Sequence, residues 1–122
     1  MAEATLDRSV LDRYRDLGDD GSPDIVREIV ETYLEDLPAR TRAIVDAVSS
    51  GNAKEFHREA HNLKGSSASI GAVALATICS ELETIGREDL TSPAQPHLAA
   101  LRNEVERVRE SLADLLAEIS IA

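Results

Sequence analysis

The sequence predicts an all-α protein, and three observations support this class. Apolar residues recur at helical spacing through most of the chain, a pattern typical of amphipathic helices. The alternation of apolar and polar residues that marks a half-buried strand is missing, and the strand-favouring aromatics number three, Tyr14, Tyr33 and Phe56. Finally, four substantial helical stretches are joined by short connections, which favours a helical bundle with an aliphatic core.

The length and charge of the chain restrict its class further. At 122 residues the chain is predicted to be one domain over residues 1–122, which buries roughly two-thirds of its unfolded surface. Thirteen basic and 23 acidic residues give a formal charge of −10, which disfavours nucleic acid and anionic lipid as partners. No signal peptide opens the chain, and no apolar run approaches the roughly 20 residues of a membrane span. We therefore expect a cytoplasmic protein.

The first two helices are separated by a glycine-bounded turn. A short helix is predicted from about Asp7 to Leu17, and it ends at the segment Gly18–Gly21. The segment Ser22–Asp24 then supplies an N-cap, a proline at the first helical position and an acid in the first turn. The second helix is long. Pro38 lies inside it and is expected to kink or briefly interrupt it, and Gly51 closes it.

The third helix begins with a capping-box pattern. Asn52 is the predicted N-cap, and Glu55 is placed to reach back to the Asn52 amide. The helix continues to about Ile70, where Gly71 allows a tight reversal. One face of this helix is predicted to be buried, namely Phe56, Ala60, Leu63, Ser67 and Ile70.

Two further helices complete the bundle. The fourth runs to Gly86 and contains Cys79, which we interpret as a small core residue. The segment Arg87–Pro96 holds two prolines and is predicted to be the longest loop. The last helix is predicted over His97–Ile119, with solvent-facing acids at Glu104, Glu106 and Glu110. The result is an antiparallel up-down-up-down four-helix bundle, with the short N-terminal helix as an accessory cover.

His61 is the residue whose position points to chemistry. On a helical wheel it faces almost directly away from the apolar face, and near neutral pH an imidazole nitrogen can act as a nucleophile. Lys64, one turn later, can hold a phosphoryl oxygen, and Gly65 removes a side chain beside the ring. The neighbours of His61 on the exposed face form a largely basic surface, Lys54, His57, Arg58, Lys64, Gly65 and Ala68. Four of these residues are predicted to contact a partner protein, namely Lys54, His57, Arg58 and Ala68.

An acid on the fourth helix is predicted to lie near His61. His61 comes ten positions before Gly71 and Glu83 comes twelve after it, so antiparallel packing places them at nearly the same level. Glu83 then accepts the imidazole N–H and leaves the other ring nitrogen free to attack. Glu81 flanks the opposite side of the same helix, and the sequence leaves open which of the two acids faces His61.

A specific motif surrounds this histidine. The pattern His61-x-Leu63-Lys64-Gly65-Ser66-Ser67, followed by Gly71-Ala72, resembles the signature of histidine-containing phosphotransfer (HPt) domains. The similarity runs from the first helix to about Gly86. The resemblance implies a four-helix bundle that is phosphorylated on His61, with Lys64 and Gly65 matching the lysine and glycine of the family. Many members have glutamine where Glu83 stands.

The resemblance also implies partners. A protein of this kind exchanges its phosphoryl group with the aspartate of response-regulator receiver domains in a multistep phosphorelay fed by a sensor (hybrid) histidine kinase. The receiver holds the Mg²⁺, so the chain is expected to be a carrier rather than an enzyme and to need no cofactor. The resemblance and the acidic surface favour a monomer. Because the chain begins at methionine and contains no glycine-rich nucleotide-binding segment, we expect a free-standing carrier rather than a histidine-phosphorylated domain of a larger kinase.

Two alternatives compete with this interpretation. The first is a helical adaptor that binds a partner without chemistry, for which His61 has no catalytic purpose. The second is a zinc site at the i, i+4 pair His57 and His61. A glutamate directly after the first histidine is absent, no third ligand is apparent, and His97 lies in or beside a distant loop. The sequence therefore predicts no metal site.

Overall fold

The computed structural model describes residues 5–16, 24–87 and 94–121. Over these residues the chain is helical and contains no strand, which confirms the predicted fold class. The helices are α1 (Arg8–Asp16), α2 (Asp24–Ser49), α3 (Ala53–Ile70), α4 (Val73–Arg87) and α5 (Gln95–Ile121). No helix in this part of the chain has both the length and the apolar character that a membrane crossing requires.

Four long helices form a closed bundle around an aliphatic core. α3 packs against α2 and α4, and α5 closes the ring by contacting α2 and α4. α1 lies against α2 and α3, as the predicted cover does. The largest completely buried side chains come from every member of the ring, among them Val30, Ile44, Phe56, Leu63, Leu75, Leu82, Leu101 and Leu112.

α2 passes through Pro38 without a break, so the expected interruption was wrong. Proline removes the N–H that would bond the carbonyl of Leu34, four residues earlier. Pro38 itself is exposed and Leu34 is half-buried, so the proline ring lies on the solvent side of α2. The buried residues Leu37 and Ile44 on either side hold the helix against the core, which offsets the loss of one backbone hydrogen bond.

The start of α3 forms one of the two hydrogen bonds of the predicted capping box. The Asn52 side chain accepts from the Glu55 N–H at 3.1 Å, as a good N-cap does. The predicted hydrogen bond from the Asn52 N–H to the Glu55 side chain is wrong, because the Asn52 N–H donates to the Ala47 carbonyl at 2.9 Å. The Glu55 carboxylate bonds Arg58 instead.

The turn between α3 and α4 also anchors the N-terminal segment. Gly71 has a φ of 87°, the left-handed conformation that glycine adopts at little cost. The Asp7 N–H donates to the Gly71 carbonyl at 2.7 Å, and a Cβ at Gly71 would lie 2.4 Å from the Asp7 carbonyl oxygen. Tyr14 adds a hydrogen bond from its hydroxyl to the Ser69 carbonyl at 3.1 Å. These contacts hold α1 over the turn.

Gly86 lies within α4 rather than ending it, since the helix continues to Arg87. A Cβ at Gly86 would lie 2.9 Å from the Cα of His57 and 3.0 Å from its Cβ and N. This glycine therefore permits a close approach between the backbones of α3 and α4. The sequence pattern predicted a helix end at Gly86, because glycine occurs both at helix ends and at close contacts between helices.

The C-terminal end of the predicted loop is also wrong. α5 begins at Gln95, and Pro96 occupies its first turn, where the missing N–H of proline has no helical partner to lose. Ala94 is buried just before it. The rest of the predicted loop, residues 88–93, and the predicted turn and cap over residues 17–23 lie outside the described residues.

Glu104 is buried, which contradicts the expected solvent-facing role. Its exposed fraction is 3%, because it lies three residues after Leu101 and four before Val108, on the same buried face of α5. The two other acids predicted to face solvent on α5 are exposed, Glu106 and Glu110.

The hydrogen bonding of Glu104 is incomplete among the described residues. Its Oε1 accepts from the guanidinium of Arg107 at 3.1 Å, and the Arg107 side chain is 65% exposed. Its Oε2 is buried and has no hydrogen-bond partner in the described part of the chain.

Candidate functional site

His61 stands on the solvent side of α3. Its side chain is 62% exposed, whereas Ala60 and Leu63, on the opposite face, are completely buried. These two residues fix the rotation of the helix, and the helical geometry then directs the imidazole outwards. The predicted buried face of α3 is confirmed at every position.

Glu83 of α4 contacts the imidazole. The His61 Nδ1 lies 3.1 Å from the Glu83 Oε1, and Glu83 as a residue is 4% exposed. The question that the sequence left open is thereby answered, because Glu81 faces away and lies 3.7 Å from the His97 Nδ1. Glu83 reaches His61 from the side of the bundle where α3 and α4 pack together.

The charge state of Glu83 determines which ring nitrogen is available. The hydrogen bond from Lys64 is the main cause that lowers the pKa of Glu83, with a smaller contribution from His61. Glu83 is therefore a carboxylate near neutral pH, and a carboxylate only accepts hydrogen bonds. It follows that the His61 Nδ1 carries the proton, and that Nε2 of a neutral ring keeps its lone pair for attack.

Two cations share the Glu83 carboxylate with the His61 ring. The Lys64 Nζ lies 2.6 Å from Oε2, and the Arg87 guanidinium lies 3.3 Å from Oε1. Lys64 is thus paired within the protein rather than extended into solvent. The pairing of Arg87 with Glu83 was not predicted from the sequence, although the i, i+4 spacing of glutamate and arginine is a known signal of a helical ion pair.

The surface beside His61 is open at Gly65. This residue is exposed, and a Cβ placed on it would meet no atom within 4 Å. The positions predicted to contact a partner are exposed at Lys54, Arg58 and Ala68. The surface of α3 is therefore low next to the imidazole. Towards the N-terminal end of the helix, Lys54 is exposed and the Arg58 guanidinium is paired with Glu55 and Glu59.

His57 differs from the other residues predicted to contact a partner. It is half-buried, and its Nδ1 lies 3.0 Å from the backbone carbonyl of Glu83. Because a carbonyl oxygen only accepts, the His57 ring donates this bond and joins α3 to α4. Within the described residues, no group of three or more histidine, cysteine, aspartate or glutamate side chains could hold a metal ion.

The interior beneath the site contains polar groups with raised pKa values. The hydroxyls of Tyr33 and Ser67 lie 2.8 Å apart, and burial raises the pKa of Tyr33 to about 12. Burial also raises the pKa of the Cys79 thiol to about 12, and the negative charge of Glu83 acts in the same direction. These groups stay neutral at physiological pH and belong to the core.

A cleft of about 500 Å³ lies on the opposite side of α3 from Glu83. It is formed between α1, α2 and α3, with an apolar floor that includes Ile29 and Ile70 and a polar rim that includes Asp36 and Arg40. The exposed face of α3 is thus bordered by the ion pairs of Glu83 on one side and by this cleft on the other.

Comparison with known protein families identifies the family to which the chain belongs. The family model for the Hpt domain matches residues 28–111, a range that contains His61, Lys64, Gly65, Glu83 and Arg87. The chain belongs to the Hpt family. The resemblance inferred from the sequence motif is therefore confirmed.

Relatives of known name are Hpt and phosphorelay proteins. Histidine-containing phosphotransfer protein 2 of Arabidopsis thaliana is 36% identical over 66 residues, which are 52% of this chain and 42% of that protein. Multistep phosphorelay regulator 1 of Schizosaccharomyces pombe is 27% identical over 81 residues, which are 66% of this chain and 28% of that protein. This Hpt chain spans less than half the length of each of these relatives.

Solved structures show the same fold. Histidine-containing phosphotransfer protein B of Pseudomonas aeruginosa superposes with a TM-score of 0.83 and 27% identity, covering 93% of this chain and 96% of the other. The Hpt domain of a sensor hybrid histidine kinase from Shewanella superposes with a TM-score of 0.75 at 19% identity, covering 93% and 95%. The second likeness concerns the fold alone.

Proposed function

We propose that this Hpt protein is a phosphoryl carrier of a multistep phosphorelay and that His61 is the residue phosphorylated. The observation that carries the proposal is the arrangement of one exposed imidazole whose Nδ1 is held by the buried Glu83 carboxylate. This contact leaves Nε2 as the nucleophile. Family membership supports the same role.

The transfer step follows from this geometry. The Nε2 lone pair of His61 attacks the phosphorus of an aspartyl phosphate on a receiver domain, the Nε2–P bond forms, and the P–O bond to the aspartate breaks. The aspartate leaves as a carboxylate. The ring keeps its Nδ1 proton and becomes positively charged, and the Glu83 carboxylate at 3.1 Å stabilises this charge. Reversal of the same step passes the phosphoryl group onwards.

Other residues of the site assist this reaction. Lys64 neutralises part of the phosphoryl charge, and the open space at Gly65 lets the active site of a partner approach the ring. Lys54, Arg58 and Ala68 form the docking surface, to which half-buried His57 contributes less. The receiver brings the Mg²⁺ and the acidic pocket, so the chain acts as a carrier rather than as an enzyme. Docking between opposite charges makes the affinity sensitive to salt.

The setting of the carrier is part of the proposal. Residues 1–122 form one Hpt domain, which works as a monomer in the cytoplasm without contact with nucleic acid or membrane. Its partners are receiver domains and a sensor (hybrid) histidine kinase. The family relays phosphoryl groups between proteins of these kinds.

Phosphoryl transfer from a radiolabelled phospho-receiver tests the proposal. Wild-type protein and the His61→Gln variant are incubated with the receiver and Mg²⁺, and the label is followed by gel electrophoresis. We expect label on the wild type alone, stable to base and labile to acid as in phosphohistidine. Label on both proteins would place the site elsewhere, with the other two histidines, His57 and His97, as the next variants.

The same experiment separates the carrier from an adaptor without chemistry. An adaptor would bind the receiver, would take up no label from any of several receivers, and would behave identically as wild type and as His61→Gln. Binding is measured in parallel by calorimetry, so that an absence of transfer is not confused with an absence of contact.

A further inference from the structure

The two oxygens of Glu83 have different partners. Oε2 accepts from the Lys64 Nζ at 2.6 Å, whereas Oε1 accepts from the His61 Nδ1 at 3.1 Å and from Arg87 at 3.3 Å. Two cations and one ring N–H therefore contact a carboxylate with a single negative charge. One cation is more than neutrality requires.

A second cation becomes useful when the charge of the site changes. Phosphorylation of His61 places a phosphoryl group of about −2 charge on Nε2, while the ring that Glu83 contacts at Nδ1 becomes positively charged. Lys64, with a flexible four-carbon stem, is then attracted by the phosphoryl oxygens. Glu83 is 4% exposed, and a buried carboxylate without a counter-ion is strongly unfavourable. The positively charged ring contacts Oε1, so Oε2 loses its charged donor when Lys64 leaves unless another cation reaches this oxygen.

Arg87 is placed to be that replacement. It lies one turn after Glu83 on the same face of α4, and its side chain is 67% exposed. At 3.3 Å it makes a long single contact with Oε1, while Oε2 is occupied by Lys64. A guanidinium fork can bond both oxygens of a carboxylate when the second oxygen becomes free.

We propose that phosphorylation of His61 transfers Lys64 from Glu83 to the phosphoryl group and that Arg87 replaces Lys64 as the counter-ion of Glu83. This inference rests on the proposed function. Arg87 is then a positioning residue, which acts on the phosphoryl group only through Glu83 and Lys64. The exchange requires a charged residue at position 83, since a glutamine there would need no counter-ion.

Nuclear magnetic resonance can observe the exchange directly, because the chain has two lysines, Lys54 and Lys64. The protein is phosphorylated with phosphoramidate: His61 Nε2 bonds to phosphorus, the P–N bond of the donor breaks, and ammonia leaves. We expect the ¹⁵Nζ signal of Lys64 to shift on phosphorylation more than that of Lys54, which is assigned with a Lys54→Gln variant. The His61→Gln variant should show neither shift. An unchanged Lys64 signal in the phosphorylated wild type would overturn the inference.

A double-mutant cycle tests the role of Arg87. We expect Arg87→Gln to slow transfer from a phospho-receiver by roughly threefold to tenfold, and Arg87→Lys to restore part of the rate. In a Glu83→Gln background the Arg87→Gln change should have no effect, because no charge then needs replacement. The matched control is Arg109→Gln, which removes an arginine from an exposed pair on α5 and should leave the rate unchanged.

The outcomes of the cycle separate the two proposals. An equal loss with Glu83 and with Gln at position 83 would mean that Arg87 acts independently of the carboxylate, and it would overturn the exchange. Equal rates for wild type and Arg87→Gln, with phosphohistidine present, would also overturn the exchange and leave the carrier function standing. An absence of phosphohistidine in the wild type would overturn the proposed function itself.

Discussion

Two glutamates of this bundle are buried to the same degree and yet differ in their surroundings. Glu83 of α4 is 4% exposed and Glu104 of α5 is 3% exposed. Glu83 has three donors distributed over both oxygens. Glu104 has one donor, the largely exposed Arg107, and within the described residues its Oε2 has none.

The difference shows when a buried charge is useful. Removing a carboxylate from water is unfavourable, and only a complete set of hydrogen bonds and opposite charges compensates for it. Glu83 meets this condition, and its charge in turn orients His61 and holds Lys64. Glu104 does not meet it, and no described residue depends on it other than Arg107. We therefore expect substitution of Glu83 to change activity and substitution of Glu104 to change stability.

The largest expected effect is on stability. Glu104→Leu replaces an incompletely bonded carboxylate with an apolar side chain of similar size, and it should raise the free energy of unfolding by about 2 kcal/mol. Urea denaturation at neutral pH measures this change. Glu106→Leu serves as the matched control, since Glu106 is exposed and its substitution should change stability by less than about 0.5 kcal/mol. A less stable Glu104→Leu protein would show that the carboxylate is well accommodated.

The second effect is on phosphoryl transfer. Glu83→Ala removes the acceptor of the His61 N–H and should slow transfer at least about tenfold, equivalent to about 1.4 kcal/mol. Glu83→Gln retains an oxygen acceptor and should lose less. Both rates are measured with a labelled phospho-receiver. Glu104→Gln, as control, should transfer at the wild-type rate. If Glu83→Ala transferred normally, Glu83 would have no part in orienting the imidazole.

A smaller effect is expected in acid. The pKa of folded Glu83 lies below the ordinary value of 4.5, so the unfolded chain binds more protons as the pH decreases. The stabilisation from this group is present above the unfolded pKa and is lost as the pH falls through the folded pKa. From about pH 6 to pH 3 the wild type should therefore lose more free energy of unfolding than Glu83→Gln, as urea denaturation at each pH would measure. Parallel pH dependences would indicate that Glu83 gains nothing from its partners.

The smallest effect compares two arginines of α5. Arg107→Gln removes the donor of buried Glu104 and should lower stability by about 0.5–1 kcal/mol. Arg109→Gln breaks an exposed pair with Glu106 and should lower it by less than about 0.5 kcal/mol. Thermal unfolding of the two variants side by side measures the difference. Equal losses would mean that the burial of Glu104 has no energetic consequence.

Much of this arrangement was predictable from local rules. Helical periodicity identified every helix and the buried face of α3. Counting outwards from Gly71 placed Glu83 level with His61, because antiparallel helices joined by a tight turn keep a fixed register. These rules gave wrong predictions where one residue fits two local structures equally well. Gly86 was interpreted as a helix end, and Glu104 was assigned to solvent by residue type although its position lies on the buried face.

Contacts between helices account for the rest. Nothing within α3 indicates that Lys64 turns towards Glu83, since that choice depends on how closely α4 approaches. The i, i+4 rule allows Arg87 to pair with Glu83, but it gives no sign that the carboxylate is buried and already shared. Periodicity gives the direction of a side chain, and only the assembled bundle gives its partners.

The close approach at Gly86 has a consequence for how the site tolerates change. Near this position α3 and α4 touch through backbone, and a single added methyl group would meet the Cα of His57 at 2.9 Å. The helices would have to separate, and the 3.1 Å contact between His61 and Glu83 would lengthen with them. The position of the proton on His61 Nδ1 thus depends on the absence of a side chain at Gly86. Substitution of Gly86 would therefore impair phosphoryl transfer, although Gly86 itself contacts neither His61 nor the phosphoryl group.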